Sequence, residues 1–334
     1  VPDSAILNSP VLVTGGTGFI GRAVIDRLLH DQPGIAVRSL SLPGETAPPQ
    51  WQHRVEVIHG DITSTRDVAA ATQGVATIIH LAALLGAGDY DTHLRITAGG
   101  TENILRAALR AGARVVVASS IAVYGDYVRD RVCTESVGHG PQNGPYCLAK
   151  QEQETITLRY VNEHGLHASI ARPANVYGAG SMPWVDVVTA ALQLGAPLIV
   201  DGGVGNAGLV HAGDVATGLI AIASRGGAGE AYNICGDLDV SWRRYFADIA
   251  RLAGVVLPDS VTYEGLYAAA RLSEIPERHI VPDEYTTLPL ATLALIGSDN
   301  RFPTTKLRSQ LGWRPAVDYD AALREIAGSY TALK

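Results

Sequence analysis

Cysteine is scarce in this chain. Cys133, Cys147 and Cys235 are odd in number and widely spaced, and none falls in a Cys-x-x-Cys or Cys/His pattern. A disulfide framework and a zinc module are thereby excluded, and the three read as free thiols of a reducing compartment, with no metal expected. Charge is sparse as well, at 18% of 334 residues with a formal net charge of −7. Lysine and arginine form no cluster, which argues against a nucleic-acid partner. No apolar run reaches the ~18 residues of a membrane span, so no membrane partner is expected. The residues ahead of the first predicted strand hold no signal-peptide pattern, and the expectation is a cytoplasmic protein. Internal repeats and low-complexity tracts are also absent. What remains is a chain that is 47% hydrophobic, long enough for one large α/β domain and a smaller one.

The organising stretch is Val11-Leu-Val-Thr-Gly-Gly-Thr-Gly-Phe-Ile-Gly21. A short apolar strand runs into Gly15, Gly18 and Gly21, and then into an amphipathic run with Ile20, Val24 and Leu28 on one face. Strand, glycine turn and helix start together form a phosphate cradle. Gly15 allows the tight turn, Gly18 lets a pyrophosphate approach the backbone, and Gly21 lets helix and strand pack closely. Free N–H groups and the positive helix end favour the anion.

Further strands are predicted at Ala36–Leu42, Val55–His59, Thr77–His80, Arg114–Ser119 and His167–Ala171. Between them lie helices at Ser64–Ala71, Tyr90–Ala111 and Tyr146–His164. Alternation without hairpin signals predicts a doubly wound parallel α/β sheet of the Rossmann type. Beyond Arg172, loops rich in Gly and Pro alternate with shorter elements, including helices near Val185–Leu194, Asp214–Ala223, Ser241–Ala253 and Asp320–Tyr330. The expected division is residues 1–172 as the dinucleotide-binding domain, with its sheet completed by about 209–235 near Ala231–Ile234. Residues 173–208 and 236–334 then form a smaller C-terminal substrate-binding domain.

Tyr146 and Lys150 stand four apart, on one face of the predicted helix. A phenol titrating near ~10 is a poor base at neutral pH. A neighbouring ammonium and the positive helix end lower that value and make Tyr146 usable as a general acid/base on a carbonyl or alcohol oxygen.

With these residues assembled, the chain resembles the extended short-chain dehydrogenase/reductases, also called the NAD-dependent epimerase/dehydratase superfamily. The matching segments are Thr14–Gly21, Gly60-Asp61-Ile62, His80-Leu-Ala-Ala83, Gly100–Asn103, Ser119–Gly125, Tyr146–Lys150, Arg172–Gly178, Val210–Asp214 and Leu311-Gly-Trp313. They cover nearly the whole chain in family order. The resemblance implies an NAD(P)-dependent enzyme in which Ser120 holds the substrate oxygen, Tyr146 exchanges its proton, and Lys150 tunes Tyr146 and binds the nicotinamide ribose. By position it assigns the cofactor to Gly15, Thr17, Gly18, Phe19, Ile20, Ser41, Asp61, Ile62, Leu81, Ala82, Ala83, Tyr146, Lys150 and Pro173. It places Ser120 at the substrate oxygen and Asn175 at the substrate, and Leu84, Met182, Trp184 and Leu209 complete the expected substrate-binding residues. Relatives often dimerise through the helices at Tyr90–Ala111 and Tyr146–His164, so a homodimer is an expectation.

Departures from the pattern shape the functional reading. Thr97 stands where many relatives keep an Asn that supports a proton-relay water; a packing role is favoured for it. Ala207 stands where sugar-nucleotide relatives place an arginine for the diphosphate, and Arg301 is the only candidate for a second phosphate arginine. Burying a diphosphate without such partners is costly. Met182, Trp184, Leu209, Tyr263, Leu266 and Tyr267 are the candidates for apolar walls instead, with core packing the favoured fate of most. At the end of the second strand stands Ser41, with no carboxylate to exclude a 2′-phosphate and with Arg38 or Arg22 in possible reach, so the cofactor reading leans to NADP(H). His80 reads as structural, Asp214 as the cap of a helix starting at Val215, and Glu135 as a solvated loop carboxylate. The expected activity is interconversion of a secondary alcohol and a ketone on a small or medium, partly apolar substrate. The alternatives are an NAD-dependent sugar-nucleotide epimerase or dehydratase and, more remotely, a non-catalytic dinucleotide sensor.

Overall fold

A computed structural model describes residues 6–273 and 289–332. The first half runs β1 (Val11–Thr14), α1 (Phe19–Asp31), β2 (Val37–Ser41), β3 (Val55–His59), α2 (Thr65–Thr72) and β4 (Thr77–His80). It continues with α3 (Tyr90–His93), a π-helical turn (Leu94–Gly99), α4 (Gly100–Ala111), β5 (Arg114–Ala118), α5 (Pro145–His164) and β6 (Ala168–Pro173). The second half adds β7 (Asn175–Tyr177), α6 (Val187–Gln193), β8 (Leu209–His211), α7 (Ala212–Arg225), β9 (Ala231–Ile234) and α8 (Trp242–Ala253). It closes with α9 (Tyr263–Ser273), α10 (Leu290–Ile296), α11 (Thr305–Leu311) and α12 (Tyr319–Ala332).

Seven strands form a parallel sheet in the order β3-β2-β1-β4-β5-β6-β9. The strand order reverses direction between β1 and β4, and in open α/β sheets the ligand crevice lies at that switch point, beyond the strands' C-terminal ends. The central strands β1, β4 and β6 are buried throughout, as the middle of a parallel sheet requires, while the edge strand β3 is partly exposed. In β1 the period-2 alternation sends Val11 and Val13 into one core and Leu12 into the other. The first core joins one sheet face to α1 and α7, which pack on each other. The second sheet face is covered by α2, α4 and α5.

The sheet's seventh strand is Ala231–Ile234, paired with β6. Leu209–His211, by contrast, does not join that sheet. It pairs with Asn175–Tyr177 in a separate two-stranded parallel sheet. A third core, rich in aromatic residues, gathers Tyr177, Trp242, Tyr245, Phe246 and Tyr319 from the second half. Yet Phe302, Leu307, Leu311 and Trp313, which the predicted division placed in the smaller domain, belong to the first core with Val11 and Val24. Among the described residues no helix is long and apolar enough to cross a membrane, and no cluster of His, Cys, Asp and Glu could hold a metal ion.

Candidate active site

The turn after β1 has the shape a dinucleotide diphosphate needs. Gly15 sits at φ +66°, and a side chain there would press on the Ala82 backbone across the switch point at 3.2 Å. A Cβ at Gly21 would run into the Gly15 carbonyl, so α1 approaches the turn only because that position is bare. Gly18 caps α1 without offering a side-chain acceptor, and the first turn carries no acid. The helix start is therefore left to an external anion. These residues fit an NAD-type cofactor.

The ribose end of the crevice differs from the sequence expectation. Ser41 is buried, with its hydroxyl hydrogen-bonded to that of Ser39 at 2.9 Å. The residue that reaches the turn is Glu45. Its carboxylate accepts from the Thr17 hydroxyl at 2.5 Å and from the Leu42 amide at 3.1 Å. A carboxylate thus stands just beyond β2 beside the glycine turn. The arginines considered for a 2′-phosphate are engaged elsewhere. Arg38 pairs with Glu56 and donates to the Ala71 and Gln73 carbonyls at the end of α2. Arg22 donates to the Thr17 carbonyl. Asp61, half-buried at the end of β3, accepts from the Thr63 amide, and Ile62 is buried against Gly100 of α4.

Along β4 and its loop, Leu81, Ala82, Ala83 and Leu84 are half-buried, and Pro173 is buried at the end of β6. The Thr14 hydroxyl accepts from the Leu81 and Ala82 amides at 3.1 and 3.2 Å and fixes that loop against the turn. Thr97 sits in the π-helical turn, a feature often found at functional sites. Its hydroxyl accepts from the Leu84 amide and so holds the loop.

Ser120, Tyr146 and Lys150 meet beyond the end of β5. Pro145 at the first helical position and Gly144 before it set the start of α5. The Ser120 hydroxyl accepts from the Ala122 amide and is hydrogen-bonded to Tyr146. Burial pushes the Tyr146 phenol up to about 12, with the Ser120 bond pulling the other way. Burial also brings the Lys150 ammonium down to about 7, opposed by the charge of Glu154. The Lys150 Nζ lies 5.7 Å from the Tyr146 ring centre and donates to the Ala118 carbonyl at 2.7 Å and to Gln153 at 3.0 Å. In this state the ammonium does not lower the phenol, which is fully protonated at neutral pH.

Behind the site lies a second buried group. Glu154 accepts from Arg172 through Nε at 2.8 Å and Nη2 at 2.6 Å, and from His139 at 2.9 Å. Arg172 also reaches the Tyr124 hydroxyl, which donates to Asn233. Glu135 accepts from the Asn233 amide, so it ties a loop to β9 rather than lying free in solvent. His80 is fully buried, and burial pulls it down to about 3, so it is neutral.

The expected substrate residues divide. Met182 is exposed, Trp184 is half-buried against Trp242, and Leu84 lines the loop after β4. Leu209 is buried in the aromatic core and Asn175 is buried with its amide donating to the Ala207 carbonyl at 2.7 Å, so neither presents a side chain to a pocket. Ala207 is likewise buried in that core. Arg301 is exposed and paired with Asp299. Asp214 does not cap α7. His211 does so by accepting from the Gly213 amide, while Asp214 accepts from the Ala316 and Val317 amides and pins the C-terminal segment.

Residues 11–235 match the model of the NAD dependent epimerase/dehydratase family, and the chain belongs to that family. It is 27% identical to a 4-hydroxy-2-methyl-3-oxo-4-farnesyl-3,4-dihydroquinoline-1-oxide ketoreductase of Stigmatella aurantiaca, over 93% of each chain. It is 23% identical to 3beta-hydroxysteroid-dehydrogenase/decarboxylase isoform 1 of Arabidopsis thaliana, over 97% of this chain and 80% of that one. Among solved structures it is similar to DesIV, a dTDP-glucose 4,6-dehydratase of Streptomyces venezuelae with NAD and TYD bound. There the TM-score is 0.75 with 25% identity, over 96% of this chain and 97% of the other.

Proposed function

We propose that the chain is an NAD(H)-dependent oxidoreductase that interconverts a secondary alcohol and a ketone on an apolar, medium-sized substrate. The observation that carries this reading is the protonated Tyr146 phenol held against Ser120 beside a glycine turn fitted to a dinucleotide. When bound, the dinucleotide supplies or accepts the hydride. Ser120 orients the substrate oxygen by hydrogen bonding. Tyr146 gives its proton to that oxygen as the carbonyl is reduced and takes it back in the reverse direction. Lys150 supplies positive charge beside the ribose and the developing phenolate, stabilising the form in which the phenol has lost its proton. Glu45 accepts from the ribose hydroxyls and repels a 2′-phosphate, which makes NAD(H) the preferred cofactor over NADP(H).

An apolar substrate is supported by two observations. Leu85, on the loop after β4, and Met182, at the start of a π-helical turn after β7, are 56% and 42% exposed. The position where sugar-nucleotide relatives keep an arginine is filled by the buried Ala207. The names of the two relatives point the same way, to a farnesylated quinoline and to hydroxysteroids. The test is a panel of lipophilic ketones, hydroxysteroids and sugar nucleotides, followed by nicotinamide absorbance with NADH and NADPH. Net oxidation of NADH by an apolar ketone is the expected result. Conversion of a nucleotide sugar without net absorbance change would transfer the assignment to a dehydratase or epimerase. Tight dinucleotide binding with no turnover of any member would favour a sensor.

A further inference from the structure

Lys150 is held by more than its neighbour Tyr146. Its Nζ donates to the Gln153 side-chain carbonyl at 3.0 Å, which fixes the orientation of that amide because only the oxygen can accept from an ammonium. The Gln153 nitrogen donates to the Thr101 hydroxyl at 2.7 Å. Thr101 has one proton and gives it to the Thr97 carbonyl at 2.6 Å, so toward His80, 2.9 Å away, it is an acceptor. His80 must then carry its proton on Nε2, which leaves Nδ1 to accept from the Thr14 hydroxyl at 2.7 Å. Thr14 in turn holds the Leu81 and Ala82 amides. Each link pairs a donor with an acceptor, and all four side chains are buried.

We propose that Gln153, Thr101, His80 and Thr14 form a directional hydrogen-bond strut that positions the Lys150 ammonium relative to the glycine turn, with Gln153 as the positioning residue. The strut crosses from α5 through α4 and β4 to β1, the four elements that carry or flank the crevice. It fixes two of the ammonium's N–H groups, on Gln153 and the Ala118 carbonyl, and leaves the third for Tyr146 or a bound dinucleotide. Because His80 is neutral and its tautomer is set, the strut transmits position and does not conduct protons. Thr97 contributes its backbone carbonyl to the strut, while its hydroxyl stays on the Leu84 amide. A buried hydrogen-bond network of this kind rigidifies what it joins.

The inference rests on the dinucleotide-binding reading for its purpose, but its test needs neither cofactor nor substrate. The chain has three lysines, Lys150, Lys306 and Lys334. Protein labelled with 13C-lysine therefore gives three side-chain signals, and Lys150→Arg identifies the relevant one. The titratable groups around Nζ are Tyr146, Glu154 and His80. Wild-type Lys150 is expected to titrate near about 7. Gln153→Met removes an acceptor from the ammonium and should lower that midpoint by about one unit, a tenfold loss of proton affinity. Gln153→Glu restores an acceptor with added negative charge and should raise the midpoint above wild type. Thr101→Val, which frees the amide to turn, should lower it by less than Gln153→Met. A Lys150 midpoint unmoved in both Gln153 variants, with the Lys306 signal unchanged as evidence of folding, would overturn the strut. Calorimetry with NADH separates the two readings. Failure of the wild type to bind NADH would sink the proposed function, while a shifted Lys150 midpoint in the same protein would still support the strut.

Discussion

Replacing Glu154 with Gln tests whether the buried pair behind the site carries stability. Glu154 and Arg172 are both buried, and the carboxylate accepts from two guanidinium nitrogens and from His139. Arg172 holds it well below the ordinary carboxylate range against the opposing effect of burial. The amide side chain keeps the shape but leaves the guanidinium buried without a counter-charge. Breaking one partner of such a pair costs about 3–5 kcal/mol. A chain of this length gains roughly 0.7 kcal/mol per kelvin of entropy on melting, at about 2.1 cal/mol/K per residue, so the melting temperature should fall by about 4–7 °C. Differential scanning calorimetry measures this directly. Glu154→Met combined with Arg172→Met removes both charges and should recover most of the loss. A single variant that melts within about 1 °C of wild type would refute the reasoning, as would a double variant less stable than the single one.

The remaining predictions concern chemistry, cofactor choice and acid. Tyr146→Phe should bind NADH nearly as well as wild type yet lose most turnover, because only the proton-transferring oxygen is gone; full turnover would remove Tyr146 from the mechanism. Glu45→Gln should move the NADPH/NADH ratio of kcat/KM toward NADPH by roughly ten- to a hundredfold, the loss of one charge-assisted bond of about 1.5–3 kcal/mol; an unchanged ratio would remove Glu45 from cofactor recognition. Ala207→Arg, which forces a guanidinium into the aromatic core, should destabilise the fold without creating a diphosphate site, and improved UDP binding in a stable variant would contradict this. Stability should also fall in acid. His80 is neutral when folded, so the unfolded chain gains a proton first as pH drops from 6.5 toward about 3. Glu154, depressed when folded, loses its contribution as pH falls below 4.5 toward about 2. Urea melts of wild type and His80→Asn between pH 7 and 4 should show a flatter pH dependence in the variant.

The parallel sheet and the glycine turn were readable because they are local patterns: short apolar runs, turn glycines, and helices with capped ends. The spacing of Tyr146 and Lys150 set both on one helix, where the Lys150 Nζ lies 5.7 Å from the phenol ring centre. Ser39 and Ser41 share one strand face and their hydroxyls satisfy each other inside the fold, a pairing that the sequence pattern does not announce. Glu45 lies in an irregular loop whose path to Thr17 depends on tertiary packing, which no periodicity encodes. The strut behind Lys150 joins residues up to 139 positions apart, from Thr14 to Gln153, and only the Lys150–Gln153 and Thr97–Thr101 steps follow a helical spacing. β7 and β8 are three residues each, too short to give an alternation signal. The burial of Ala207, Leu209 and Asn175 follows from that small sheet packing onto the aromatic core.

The C-terminal contribution to the first core has a consequence for how this molecule can be divided. The family match ends at residue 235, and a protease or a gene fusion cutting there would leave every strand of the large sheet intact. It would also strip Phe302, Leu307, Leu311 and Trp313 from the core they share with α1 and α7, and remove the amides that satisfy the buried Asp214 carboxylate. The sheet of such a fragment would be complete in hydrogen bonds and open on one side to solvent. Ancestry and foldability therefore have different borders in this chain. A segment recognisable as one inherited unit is not one that can be transplanted alone, and recombination that respects the first border while ignoring the second should yield sticky, aggregating products.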